Sequence, residues 1–193
     1  MPEKTFQRLL DGNQRFAENR PALDESESRR RAVASEQHPF AIILGCVDSR
    51  VPPELIFDHG LGELFVIRTA GEVLDHAVLG SIEFGVLELQ IPLIMVLGHK
   101  NCGAVKAAME ILHQHKKAKA DIEYLVKNLA LAIEIGEKWG SDELDHAIKA
   151  QIISVVVQLR KLPVFATLME QGKLKIVGGY YDLDSGLVDI IVE

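Results

Sequence analysis

The stretch Phe40–Phe57, FAIILGCVDSRVPPELIF, decides how the rest of the chain is read. Its opening, Phe40–Cys46, is apolar and short enough to form one buried β-strand. The run then passes through Cys46, Asp48 and Arg50, each two residues from the last. In extended chain that spacing sets all three side chains on one side. Charged groups at the mouth of a core strand are costly unless they are paired or put to chemical use.

Further strand-like runs lie at Leu64–Arg68, Leu93–Gly98, Leu174–Tyr180 and Leu187–Val192. The last two are joined by Asp182–Gly186, a turn of hairpin type. Between the second and third strands, Ala77–Leu89 carries Val78, Ile82, Phe84, Gly85 and Leu89, which suit a packed helix. After the third strand, Ile122, Leu125, Val126, Leu129 and Ile133 share one helix face. Leu144, Ile148, Ile152, Val155, Val156 and Leu159 share another, with Ser141 as the expected N-cap. Two helical stretches, Lys4–Glu18 and Glu25–Gln37, come before the first strand. The first has Phe6, Leu9, Leu10 and Phe16 on one side, for packing on its own domain or over a neighbouring subunit.

Strands bounded by helices predict an α/β fold with a mainly parallel central sheet flanked by helices. About four strands are parallel and a C-terminal strand is antiparallel. The expected organisation is one domain over residues 1–193, with 1–37 as an N-terminal helical arm. The chain has 193 residues, 48% of them hydrophobic and 25% charged, with a formal net charge of -7. That balance gives no reason to expect nucleic acid or an anionic membrane as partner. No apolar run is long enough to span a bilayer, and the first residues lack the pattern of a signal peptide. The expected location is the cytoplasm.

In sheets of this kind ligands collect at the carboxyl ends of the strands. Cys46 ends the first strand, and Gly98–Val105, GHKNCGAV, ends the third. These are the only two cysteines, and in a reducing compartment a structural disulfide is not expected. Each alone reads as buried filler, nucleophile or metal ligand. His99 and Cys102 are spaced so that both can bind one ion where a loop enters a helix, whose N-terminus favours a thiolate. With Cys46 they form a donor set suited to zinc. Asp48 can take a fourth position or accept a hydrogen bond from water there, and Arg50 can pair with Asp48. Read blandly, Asp48–Arg50 is a structural ion pair and Ser49 a turn residue. The remaining six histidines read as surface or structural.

Cys-Val-Asp-Ser-Arg, followed some fifty residues later by Gly-His-Lys-Asn-Cys-Gly, resembles the signature of the β-class carbonic anhydrases. The likeness extends through RVPPELIFDHGLGELFVIRTAGEV and LGSIEFGV, over roughly Gln37–Val105. The resemblance implies Cys46, His99 and Cys102 as ligands of one Zn2+ per chain, with Asp48 and Arg50 as the catalytic dyad governing the fourth position. It implies that Gln37 hydrogen-bonds substrate across a dimer interface. It also implies a CO2 pocket at Phe65, Phe84 and Ala70, with Gly103 as a further substrate contact. Gln37 reads otherwise as the cap of the second helix, and Phe65 and Phe84 as core residues. Ile43 stands where members with a regulatory bicarbonate site carry Trp, although Arg68 and Tyr181 resemble other parts of that site.

The implied activity is reversible hydration of CO2 to bicarbonate and a proton, by zinc-activated hydroxide attacking CO2 held against apolar walls. The implied assembly is a dimer or a dimer of dimers. Hydration is expected to climb from pH 7 to 9, with Asp48 closing the site at lower pH once its pair with Arg50 breaks. Two other functions share the site: hydrolysis of a CO2 analogue such as COS or CS2, and non-catalytic binding of zinc or bicarbonate. A structural zinc is normally closed by four protein ligands, which sets the dyad against the last of these.

Overall fold

Alternation along β1 (Ala41–Cys46) and β3 (Leu93–His99) organises the core. Ile42, Leu44 and Cys46 join Ile94 and Val96 in a large apolar core on one face of the sheet. Ala41 and Ile43 join Leu93, Met95 and Leu97 in a smaller core on the other face. Every residue of both strands is buried, as expected of parallel strands covered on both sides. The computed structural model describes residues 1–193.

The sheet is completed by β2 (Leu64–Thr69), β4 (Lys175–Tyr181) and β5 (Val188–Val192), in the order β2-β1-β3-β4-β5. Only β5 is antiparallel, paired with β4 through the Asp182–Gly186 turn. Asp182 accepts from the amides of Asp184 and Ser185 at 2.7 and 3.2 Å, and Gly186 takes a φ of 75° to close that turn. From β1 the chain passes to β2 on one side, while β3 lies on the other. The crevice at the carboxyl ends of β1 and β3 is therefore the topological switch point.

Around the sheet lie α1 (Pro2–Ala17), α2 (Glu27–Ala32), α3 (Pro53–Ile56) and a 3-10 turn at Ala70–Glu72. They are followed by α4 (His76–Leu87), α5 (Gly103–His113), α6 (Ile122–Glu137), α7 (Glu143–Arg160) and α8 (Pro163–Glu170). The second helix is shorter than the expected Glu25–Gln37, because ESRRRA offers no residue to bury. It ends at Ala32, so Gln37 lies in the following irregular segment and does not cap it. The N-cap of α7 is Asp142 and not Ser141: its carboxylate accepts from the Asp145 amide at 3.4 Å. No single helix is long and apolar enough to cross a membrane.

Of the two expectations for the first helix, the structure shows α1 on its own sheet. Phe6 and Leu9 sit in the smaller core. Asn13 is 3% exposed and donates to the carbonyls of Ile56 at 3.1 Å and Gly186 at 2.9 Å. It also accepts from the Val188 amide at 2.9 Å. A side chain at Gly12 has no room, since a Cβ there would lie 1.9 Å from the Phe57 carbonyl oxygen. Gly12→Ala is therefore expected to push α1 off α3 and cost about 1–3 kcal/mol. Thermal unfolding should show this as a drop in Tm of several degrees, and an unchanged Tm would contradict the packing.

Candidate metal centre

Three side chains meet at the switch point. Cys46 ends β1, His99 ends β3, and Cys102 is the N-cap of α5. All three are at least 98% buried, and their ligand atoms lie within 4.8 Å of one another. By the alternation of the strands, Cys46 belongs to the helix-covered larger core and His99 to the smaller one. The group therefore closes over the end of the sheet and not within a face.

The donor set fits a tetrahedral metal on two observations. The sulfurs of Cys46 and Cys102 are 3.8 Å apart. Two thiolates on one tetrahedral zinc, each at about 2.3 Å, span roughly 3.8 Å. The ring of His99 places Nδ1 3.0 Å from the Lys100 carbonyl, which fixes Nδ1 as the protonated nitrogen and leaves the Nε2 lone pair free. That Nε2 is fully buried and has no partner within the chain. A buried ring nitrogen left without a partner is costly unless something coordinates it.

Without a cation, two thiols this close share one proton. Cys46 is pulled down to about 4, first by its hydrogen bond to Cys102 and against the raising effect of burial. Cys102 is pushed well above the ordinary thiol value by Cys46 and by burial, against the lowering effect of the Val105 amide in the first turn of α5. A dication supplies the charge that lets both sulfurs ionise.

Asp48 and Arg50 do come together, but not by strand geometry. The strand ends at Cys46, and the chain turns: the Val51 amide donates to the Asp48 carbonyl at 3.0 Å, and the Arg50 amide donates to the Asp48 carboxylate at 2.9 Å. This Asx turn folds the guanidinium of Arg50 back on Asp48. The pair is bidentate, Nε to Oδ1 at 2.9 Å and a terminal nitrogen to Oδ2 at 2.7 Å. Arg50 holds the Asp48 carboxyl far below the usual carboxylate range. Asp48 Oδ2 is 3.9 Å from His99 Nε2, so the carboxylate borders the ligand cluster while both its oxygens are engaged by Arg50. Arg50 also reaches the carbonyl of Asn101 at 3.3 Å, tying one motif loop to the other.

The remaining expected residues are more dispersed. Phe65 on β2 is partly buried against the larger core, its ring 6.4 Å from that of Phe84. Phe84 is 48% exposed, so it is not a core residue of this chain. Helix α4 packs through Val78, Ile82, Gly85 and Val86, which leaves Phe84 on the outward side. Ala70 opens the 3-10 turn beside the end of β2. Gly103 opens α5 in free space, with nothing within 4 Å of a built Cβ. Gln37 is exposed and outside any helix.

Several residues that hold the site had no spacing to mark them. Arg68 on β2 donates to the carbonyls of Cys46 at 2.8 Å and Asp48 at 2.6 Å, clamping the turn that carries the dyad. Lys100 donates to Asp182 and Asp184, at 3.3 and 2.7 Å, and so fastens the HKNC loop to the β4–β5 turn. Glu72 is 1% exposed with one carboxyl oxygen unpartnered, and burial together with the nearby Cys46 pushes its pKa up. The one legible signal was Gly71, the kind of residue a left-handed turn favours.

A mainly parallel α/β sheet with a buried Cys–His–Cys group at its switch point defines an α/β protein whose site could hold a metal ion. A family model described as carbonic anhydrase matches residues 41–188. A carbonic anhydrase of Mycolicibacterium smegmatis is 39% identical over 191 residues, covering 98% of this chain and 93% of that one. The β-carbonic anhydrase of Coccomyxa, solved with acetazolamide, aligns with a TM-score of 0.76 at 27% identity, covering 96% of this chain and 85% of that one. A tetrameric β-carbonic anhydrase of Sordaria macrospora shares the fold, with a TM-score of 0.76 at 19% identity and 97% coverage of both chains. The chain belongs to the carbonic anhydrase family, in its β class.

Proposed function

We propose that this chain catalyses the reversible hydration of CO2 to bicarbonate and a proton, with one zinc held by Cys46, His99 and Cys102. The observation that carries the reading is the buried donor set with a free His99 Nε2, bordered by an Asp48 carboxylate that Arg50 already engages. When bound, zinc supplies Lewis acidity that generates a nucleophile from water near neutral pH. Asp48 then acts as a fixed, ionised acceptor at the mouth of the site, and Arg50 keeps it oriented and off the metal. Phe65, Ala70 and Phe84 offer apolar wall to an uncharged substrate. Gly103 leaves backbone accessible at the start of α5, and Gln37 supplies an amide for substrate from a second subunit.

That role for Gln37 makes the working form a homo-oligomer, a dimer or a dimer of dimers. Its support is apolar surface near the site: Val47 and Phe84 are 55% and 48% exposed in the isolated chain. The chain works as one domain with residues 1–37 as its arm. A reducing cytoplasm suits it, because oxidation of two sulfurs this close would remove two ligands at once.

Two thiolates cancel the charge of the dication, so the water that supplies the nucleophile is less acidic than the value of about 7 reached with three histidines. The hydration rate is expected to climb steadily between pH 7 and 9. Asp48 is already ionised across that range, so the climb is not its titration. Stopped-flow hydration checks this: a flat profile from pH 7 to 9 would contradict the proposed ligand chemistry, and turnover of COS with no turnover of CO2 would reassign the substrate.

A further inference from the structure

Helix α7 buries Ala147, Ile148, Ile152, Val155, Val156 and Leu159, and among them one amide, Gln151, which is 3% exposed. A buried amide costs more than an aliphatic side chain of the same size unless its polar atoms are paired. Nε2 of Gln151 donates to the carbonyl of Gly71 at 3.0 Å, eighty residues away in sequence. Gly71 and Glu72 are successive left-handed residues, with φ of 67° and 53°. The second of these is an uncommon conformation for a glutamate and is kept only where the surroundings impose it.

Three helices crowd the turn at Gly71. Leu129 of α6 lies 3.1 Å, and Ala104 of α5 3.7 Å, from where a Cβ on Gly71 would stand, while Gln151 of α7 grips the carbonyl. On its other side the turn meets the end of β1, where Thr69 pairs with Cys46. The Gly71 carbonyl and the Glu72 amide share one planar peptide unit, so a donor that locks that carbonyl fixes the orientation of the turn beside Cys46.

We propose that Gln151 is a positioning residue of the metal centre: through its bond to the Gly71 carbonyl it holds the left-handed turn that backs the end of β1 where Cys46 stands. The inference rests on the reading of Cys46 as a metal ligand. Gln151 touches no reacting atom and acts only through the turn. Groups that support a ligand from behind typically change metal affinity by 10–100-fold when lost.

Gln151→Met keeps the volume of the side chain and removes the donor. The test compares wild type, Gln151→Met and Val155→Ala, a core substitution on the same helix. Each is measured for zinc content, rate of zinc transfer to a chelator, the thiolate-to-metal absorption of the cobalt-substituted protein, and Tm. Gln151→Met is expected to release zinc roughly tenfold faster, with a shifted cobalt–thiolate band. Val155→Ala is expected to lower Tm while leaving both readouts at the wild-type value. Unchanged release and absorption in Gln151→Met, or equal changes in Val155→Ala, would overturn the proposal while leaving the ligand assignment standing. A wild type with no zinc and no cobalt–thiolate band would overturn both. Should Gln151→Met not fold, Gly71→Ala strains the same turn from the side of Leu129. Faster release would then support the proposal, and wild-type release from a folded Gly71→Ala would overturn it.

Discussion

Cys46→Ser is expected to empty the metal centre and to lower CO2 hydration at least about a thousandfold, the largest single-residue effect the site allows. Serine is nearly the same size as cysteine, but its hydroxyl stays protonated where a thiolate is needed, and it is a poor ligand for a borderline-soft ion. One thiolate and one imidazole would remain. Zinc content after dialysis and stopped-flow hydration measure the two halves of the prediction. Because Cys46 is 2% exposed at the end of a buried strand, far-ultraviolet dichroism should accompany them to show that the sheet persists. A folded Cys46→Ser protein with full zinc and wild-type turnover would remove Cys46 from the ligand set.

The second large effect is expected at Asp48. Asp48→Asn preserves shape and the turn, since an amide oxygen can still accept from the Arg50 backbone. It deletes the charge that Arg50 engages through two bonds of 2.9 and 2.7 Å. Turnover should fall about 10²–10⁴-fold, the range for loss of a positioned proton-handling group, while zinc stays at one per chain. Retained zinc separates this variant from Cys46→Ser. Wild-type turnover in zinc-replete Asp48→Asn would make the pair structural only. The pair's own pH dependence has a definite sign. Arg50 lowers the folded pKa of Asp48, so the pair's stabilisation is present above the unfolded carboxyl value and is lost as pH falls through the depressed one. Between pH 5 and 9 the carboxylate does not titrate, and closure of the site by Asp48 in that range would require the Arg50 bonds to break without protonation.

Much of this was legible in the sequence because it rests on short-range patterns. Apolar runs such as AIILGC and LIMVLGH can be little other than strands buried on both faces. The DLDSG turn set β5 antiparallel to β4. The meeting of Cys46, His99 and Cys102 was legible from residue type and position, since the carboxyl ends of β1 and β3 and the start of α5 converge at the switch point. What was hidden depends on contacts distant in sequence or on backbone conformations that side chains do not announce.

Arg50 reaches Asp48 by an Asx turn and not by strand alternation, so the right pairing was anticipated from the wrong geometry. The left-handed pair Gly71–Glu72 follows from packing by Leu129, Ala104 and Gln151, which come from three different helices. Gln151 itself was masked by the apolar stripe around it. Helices α3 and α8 are short and begin at Pro53 and Pro163, a start signal too local to register against longer periodic neighbours. Phe84 reads as core by hydrophobicity alone, yet the face of α4 that meets the sheet is set by Val78, Ile82 and Gly85.

The most direct test of the account is CO2 hydration at pH 8.5 by protein of known zinc content, before and after the metal is stripped by a chelator and restored. The account predicts fast hydration at about one zinc per chain, its loss on stripping and its return with zinc. Hydration that persists in metal-free protein, or a folded wild type that never holds zinc, would contradict it.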